Sequence, residues 1–239
     1  EAARVVLDGA DGRLPSVGEP TAGAGRPGEA VGHEGHDDQL TRSLEAFDDE
    51  AAQELLDRLF AQFSVETVLE DVILPSLRSL GQGWAEGSVS VAQEHFVSQL
   101  IRSRLATLAR GWGRGVGPRA VLATAPHERH DMALTIFGIC LHRWGWRIRY
   151  LGADTPADEL TALVAARPPD LVVVTVTAPQ SRVDPAPFVE LAQRAPLALA
   201  GSQAAAELAG VIGARLLQGS PVSAAREVAT TWQTGGRDQ

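Results

Sequence analysis

Arg119-Ala-Val-Leu-Ala-Thr-Ala125, followed after Pro126 and His127 by Glu128-Arg129-His130, is the stretch that decides the fold. A brief apolar run bounded by turn residues reads as a strand buried on both faces. A helix-like segment over 130–144 follows, so His130 stands at a strand-to-helix turn and opens that helix. The same unit recurs downstream. Strand-like runs lie at 147–151, 171–177, 197–200 and 214–217, and helix-like segments at 156–166, 184–195, 203–212 and 221–232. Near-continuous apolar strands alternating with helices predict a flavodoxin-like (Rossmann-type), doubly wound parallel sheet over 118–235. Such sheets bind ligands at the carboxyl ends of their strands, where His130 falls.

Upstream of this unit the periodicity is helical. Asp48-Asp49-Glu50 starts a helix with Leu55, Leu56, Leu59, Phe60 and Phe63 at helical spacing. Ser64 offers an N-cap for a longer helix carrying Val68, Leu69, Val72, Ile73 and Leu77, which Pro75 is expected to kink. That helix runs out at Gly81, Gly83 and Gly87. Ser90 and Gln93 have capping-box spacing ahead of a helix with Phe96, Val97, Leu100, Ile101 and Leu105. These segments predict a four-helix-type bundle over 38–112, giving an α + α/β chain. Gly111, Gly113, Gly115, Gly117 and Pro118 form a short linker to the sheet. Before the bundle, residues 8–37 have the Gly, Pro and Ala content of a flexible linker. Glu1-Ala-Ala-Arg-Val-Val-Leu7 reads as the end of a helix stopped by Asp8-Gly9 in a trimmed chain.

Charge and cysteine content narrow the function. The 21 basic and 30 acidic residues leave a formal charge of −9, which argues against a free-standing nucleic-acid-binding module. No apolar run reaches the length of a membrane span, and no secretion signal is visible at the start. The lone Cys140 lies in an apolar helical run without a disulfide partner. It reads as a core residue in a cytoplasmic protein.

His130 is a candidate metal ligand, with Glu128 two residues earlier as the group that would orient its ring. His127-Glu128-Arg129-His130 is not the zinc pattern His-Glu-x-x-His, whose two ligands sit four apart on one helix face. A single cysteine also argues against a structural zinc site. A second constellation precedes the sheet: Trp84, then Glu94-His95 in the first turns of the next helix. On its own, a Trp at a helix end is more often core packing than a flat lid over a ligand, and a Glu-His pair early in a helix is more often a solvated end than a set of polar contacts to one.

Together, Trp84-x9-Glu94-His95 and Glu128-Arg129-His130 resemble the cobalamin-binding light sensors of the CarH type, which sit behind a MerR-like DNA-binding domain in bacterial repressors. The resemblance covers roughly residues 38–235. It implies that His130 is the lower axial ligand of cobalt, replacing the cofactor's own base. The displaced nucleotide tail would run in a slot beside the third and fourth strands. The family pattern of that region is matched as Glu128-Arg129-His130-Asp131-Met132-Ala133, Thr175-Val176-Thr177 and Ala200-Gly201. Glu128 replaces the usual Asp, while Ala133 and Ala200 each replace a Gly. The resemblance also implies that Trp84, Glu94 and His95 cap the adenosyl group of adenosylcobalamin. Ala85 departs from the best-known sensors, which carry there a histidine that binds cobalt after light has expelled the adenosyl group. Some relatives add a linear tetrapyrrole, although no cysteine here is placed to anchor one. On this reading residues 1–37 combine a remnant of the DNA-binding domain with a linker. The chain is then a homo-oligomeric regulatory module rather than an enzyme. The competing reading is a corrinoid protein that carries methyl groups for a methyltransferase.

Overall fold

The computed structural model describes residues 35–177 and 183–235. The helix end read at Glu1-Leu7, and all of the linker before residue 35, lie outside the described residues. Helix α1 (His36–Glu45) begins two residues before the expected onset of helical pattern, and α2 (Asp49–Gln62) follows. The Asp48 carboxylate caps α2 by accepting from Ala51 N at 3.0 Å. The next helix carries an irregularity at the expected place: α3 (Val65–Val68) passes through one π-helical turn, Leu69–Ile73, into α4 (Leu74–Glu86). Pro75 brings no N–H and crowds the carbonyl four residues back, and the wider turn directly before it accommodates both effects. Ser76 Oγ then lies 2.8 Å from Val72 O and 3.0 Å from Asp37 O, a hydroxyl shared between its own helix and α1. Gly87, at φ 80°, closes α4 in the left-handed conformation. Helix α5 (Val91–Leu108) opens with the expected Ser90/Gln93 capping box.

The remaining elements alternate: β1 (Arg119–Thr124), α6 (Met132–Arg143), β2 (Arg147–Gly152), α7 (Ala157–Ala166), β3 (Leu171–Val176), α8 (Ala186–Arg194), β4 (Leu197–Gly201), α9 (Gln203–Ile212), β5 (Arg215–Leu216) and α10 (Pro221–Gly235). All strand pairs are parallel, in the order β2-β1-β3-β4-β5. Strand β5 is shorter than the run 214–217, and α6 starts at Met132, so His130 sits in the loop before the helix rather than in its first turn.

Each central strand feeds two cores. Ala120, Leu122 and Val173 pack on one face with α6, α10 and the helices α1–α5, whereas Val121, Ala123, Val172 and Val174 pack on the other with α7–α9. This two-residue period inside wholly apolar runs is what a sheet covered on both sides requires. Cys140 belongs to the first core, and burial pushes its thiol pKa up to about 12. No described helix is long and apolar enough to cross a membrane.

Candidate functional site

The sheet order places β1 beside β3, with Thr124 opposite Thr175. The chain leaves β1 toward β2 and leaves β3 toward β4, so the two outgoing loops part and open a crevice at their carboxyl ends. The loop after β1 is tied down before it reaches His130. Glu128 N donates to Ala125 O at 3.1 Å, and Thr124 Oγ1 donates to Glu128 O at 2.7 Å. Asp154, from the loop after β2, donates its N–H to Glu128 O at 2.8 Å and accepts from His127 N at 2.6 Å. None of these partners is adjacent in sequence.

Glu128 is almost wholly buried, with 2% of its surface exposed. Its Oε1 accepts from His130 N at 2.8 Å and lies 2.5 Å from His130 Nδ1, while Oε2 accepts from Thr177 N at 3.0 Å. Burial pushes the carboxyl pKa up, but the His130 side-chain and backbone hydrogen bonds, the imidazole charge and the Thr177 N–H outweigh it. The result lies below the ordinary carboxylate value, so Glu128 is an anion that holds the Nδ1 proton in place. With Nδ1 turned to that carboxylate, Nε2 is the ring nitrogen left to face a ligand.

Among the described residues, the buried His130 Nε2 has no hydrogen-bond partner, and the same holds for Thr175 Oγ1 and Thr177 Oγ1. Unpaired polar atoms in an interior cost free energy unless something else meets them. Three of them near the adjoining ends of β1 and β3, one an imidazole nitrogen whose ring is already oriented by a carboxylate, describe a candidate ligand site. Ala200 lies opposite Thr175, and Gly201 opposite Val176, on β4. Arg129 and Ala133 are exposed, so the Ala133 methyl points to the surface.

Asp131 does something the sequence did not disclose. It is the N-cap residue of α6, yet its side chain makes no cap hydrogen bond. Its carboxylate instead pairs with Arg102 on α5 and accepts from Tyr150 Oη at 2.8 Å on β2. Thr135 Oγ1 lies 2.9 Å from Tyr150 Oη. Arg102, Thr135 and Tyr150 carry no motif because their partners are remote in sequence.

The second constellation lies in the helical layer. Trp84 is half-buried on the first core, in the last turn of α4. Glu94 Oε1 accepts from Ser98 Oγ at 2.8 Å, and Glu94 Oε2 is 3.6 Å from Nε2 of the exposed His95.

The B12 binding domain family matches residues 37–109, the helical part. The HTH-type transcriptional repressor CarH of Myxococcus xanthus is 33% identical over 164 residues, covering 68% of this chain and 55% of that protein. These two likenesses support a CarH-type cobalamin-binding sensor region. A second repressor of the same organism, CarA, is 34% identical over 154 residues, covering 64% of this chain and 52% of the relative. The chain thus spans about half the length of the curated relatives it matches. The Methanosarcina barkeri monomethylamine corrinoid protein superimposes at a TM-score of 0.64 with 15% identity, covering 84% of this chain and 100% of its own, and so shares the fold.

Proposed function

We propose that the chain is the sensing part of a transcriptional regulator, binding adenosylcobalamin between its helical layer (38–112) and its sheet domain (118–235) and relaying light or cofactor state to an attached DNA-binding domain in the cytoplasm. The observation that carries this reading is the buried, unpartnered Nε2 of His130 beside a carboxylate that fixes its tautomer. Among the described residues no cluster of three or more His, Cys, Asp or Glu can hold a metal ion. His130 would hold cobalt from below. The hydroxyls of Thr175 and Thr177 would meet the nucleotide tail in a slot beside β3 and β4, near Ala200 and Gly201. Glu128, Arg129, Asp131 and Ala133 would shape the rim of that slot. Trp84, Glu94 and His95 would cover the adenosyl group. When bound, the cofactor supplies a cobalt–carbon bond that green light breaks.

Size-exclusion chromatography of the adenosylcobalamin-loaded chain, in the dark and after green light, tests the regulatory part. A ligand shifts an association equilibrium only through differential affinity for its two states, and an upper group between two layers supplies that difference. The expected result is a larger species in the dark. An unchanged elution volume would favour a methyl carrier instead.

Trp84→Ala is expected to weaken adenosylcobalamin while leaving hydroxocobalamin nearly unaffected. Loss of an aromatic lid removes ~1–3 kcal/mol of apolar burial, about 5- to 150-fold in affinity. Equal losses for the two cofactors, read by absorbance titration, would make Trp84 a core residue only.

Ala85 is exposed on α4, directly after Trp84. With no imidazole there, the illuminated chain is expected to exchange its corrin readily with fresh adenosylcobalamin. Ala85→His places an imidazole on an existing helix without backbone change and should slow that exchange. Identical exchange rates for the two chains would contradict the assignment of this side to the upper face.

A further inference from the structure

At the amino-terminal edge of the sheet, the opposite end of the strands from His130, lies a recess of about 190 Å³ lined by Arg119, Arg147, Arg149 and Arg167, with no acidic residue in its wall. The parallel register explains the convergence. Arg119 on β1 is opposite Arg147 on the edge strand β2, and Arg149, two residues on, shares the face of Arg147. On that face β1 sends Val121 and Ala123 into the second core, but no residue of β2 joins it. The sheet edge is therefore left open there, with basic side chains where a helix would otherwise pack.

Two of the arginines are held in place. Arg119 Nη2 donates to Pro168 O at 3.0 Å, and Arg147 Nε donates to Gly117 O at 2.7 Å. Arg149 and Arg167 are exposed and, among the described residues, make no ion pair or side-chain hydrogen bond. Asp170 lies outside the recess wall, with one carboxylate oxygen taken by the Arg119 backbone N–H at 2.7 Å. Four guanidinium groups sharing one recess repel one another, and an anion seated among them reverses the sign of that interaction. Guanidinium forks match phosphate oxygens in pairs, which an ammonium does not. This convergence is local, in a chain whose formal charge is −9.

The geometry points to this recess as a binding site for a small phosphate-bearing ligand, separate from the cofactor crevice. Its volume equals about six waters at ~30 Å³ each, suiting a mono- or diphosphate group. It goes beyond the proposed sensing role and does not depend on it. The test is calorimetric titration of the full chain with inorganic diphosphate, against sodium chloride at matched ionic strength, in wild type and in the double variant Arg149→Gln/Arg167→Gln. Both positions are exposed, so the variant should fold, and its cobalamin uptake serves as the check. The expected result is saturable one-site binding that weakens by about tenfold or more in the double variant, as when charge-assisted contacts are lost. Arg149→Lys/Arg167→Lys should retain part of the affinity, because charge survives while the paired geometry does not. No binding beyond the chloride control, or equal affinity in the Gln variant, would overturn the assignment. A random-sequence DNA duplex that binds through these arginines where diphosphate does not would overturn the small ligand in favour of a polyanion.

Discussion

His130→Ala is expected to cost more than about a hundredfold in cobalamin affinity, since even the groups that merely orient a ligating histidine contribute about 10- to 100-fold. The reasoning is local. Glu128 is buried, and its Oε1 is committed to both the N–H and the ring of His130. Replacing the ring leaves that carboxylate with Thr177 N and the residue-130 N–H, so the loop should keep its shape while the nitrogen ligand is lost. Glu128→Gln should give a smaller loss, within that 10- to 100-fold range, because an amide oxygen can still orient the ring but makes a weaker, uncharged hydrogen bond to Nδ1. Equilibrium titration followed by absorbance measures both. Equal losses in the two variants would mean that the loop, not the nitrogen, carries binding.

Gly201→Ala is expected to be the most damaging single-methyl change in the sheet domain. Gly201 has φ 134°, a conformation essentially closed to residues with a side chain. A Cβ built there would lie 2.1 Å from Val176 O and 2.8 Å from Val176 C. Both neighbours are backbone and have no rotamer to escape into. Ser202 N donates to Val176 O at 3.1 Å, so any shift also breaks a bond between the ends of β3 and β4. Strain and overpacking together should lower the unfolding free energy by about 3 kcal/mol. Urea denaturation measures this, and a loss under about 1 kcal/mol would show that the turn has another accessible conformation. The neighbouring Ala200→Gly carries no such constraint and should change stability far less.

Much of the architecture was legible because its signals are periodic or local. The apolar runs at 119–125 and 171–177 could only be strands covered on both faces, and the Ser90/Gln93 spacing announced the start of α5. His130 and Glu128 were legible as a pair because they stand two positions apart, with only Arg129 between them. The π-helical turn before Pro75 was not, because sequence shows a missing donor but not how the backbone ahead of it accommodates the ring. The boundary at Met132 was missed for a related reason. Glu128 takes up the His130 N–H and so holds residues 128–131 in a loop where composition alone allows helix. Arg102 and Tyr150 were illegible altogether. Their joint partner Asp131 lies 29 residues from one and 19 from the other, and only the folded chain brings the three together. The arginine recess was equally hidden, since strand register rather than spacing brings Arg119 to Arg147.

Electron paramagnetic resonance of the chain loaded with cobalamin and reduced to cobalt(II) tests the central claim most directly, provided histidine is labelled with 15N. The cofactor's own base is also a nitrogen donor, so splitting alone does not identify the ligand, but the label marks only the protein. With Nε2 of His130 on cobalt, each three-line nitrogen pattern of the unlabelled protein should become two lines in the labelled one, and His130→Ala should remove the change. A three-line pattern unaffected by labelling, or no nitrogen splitting at all, would contradict it.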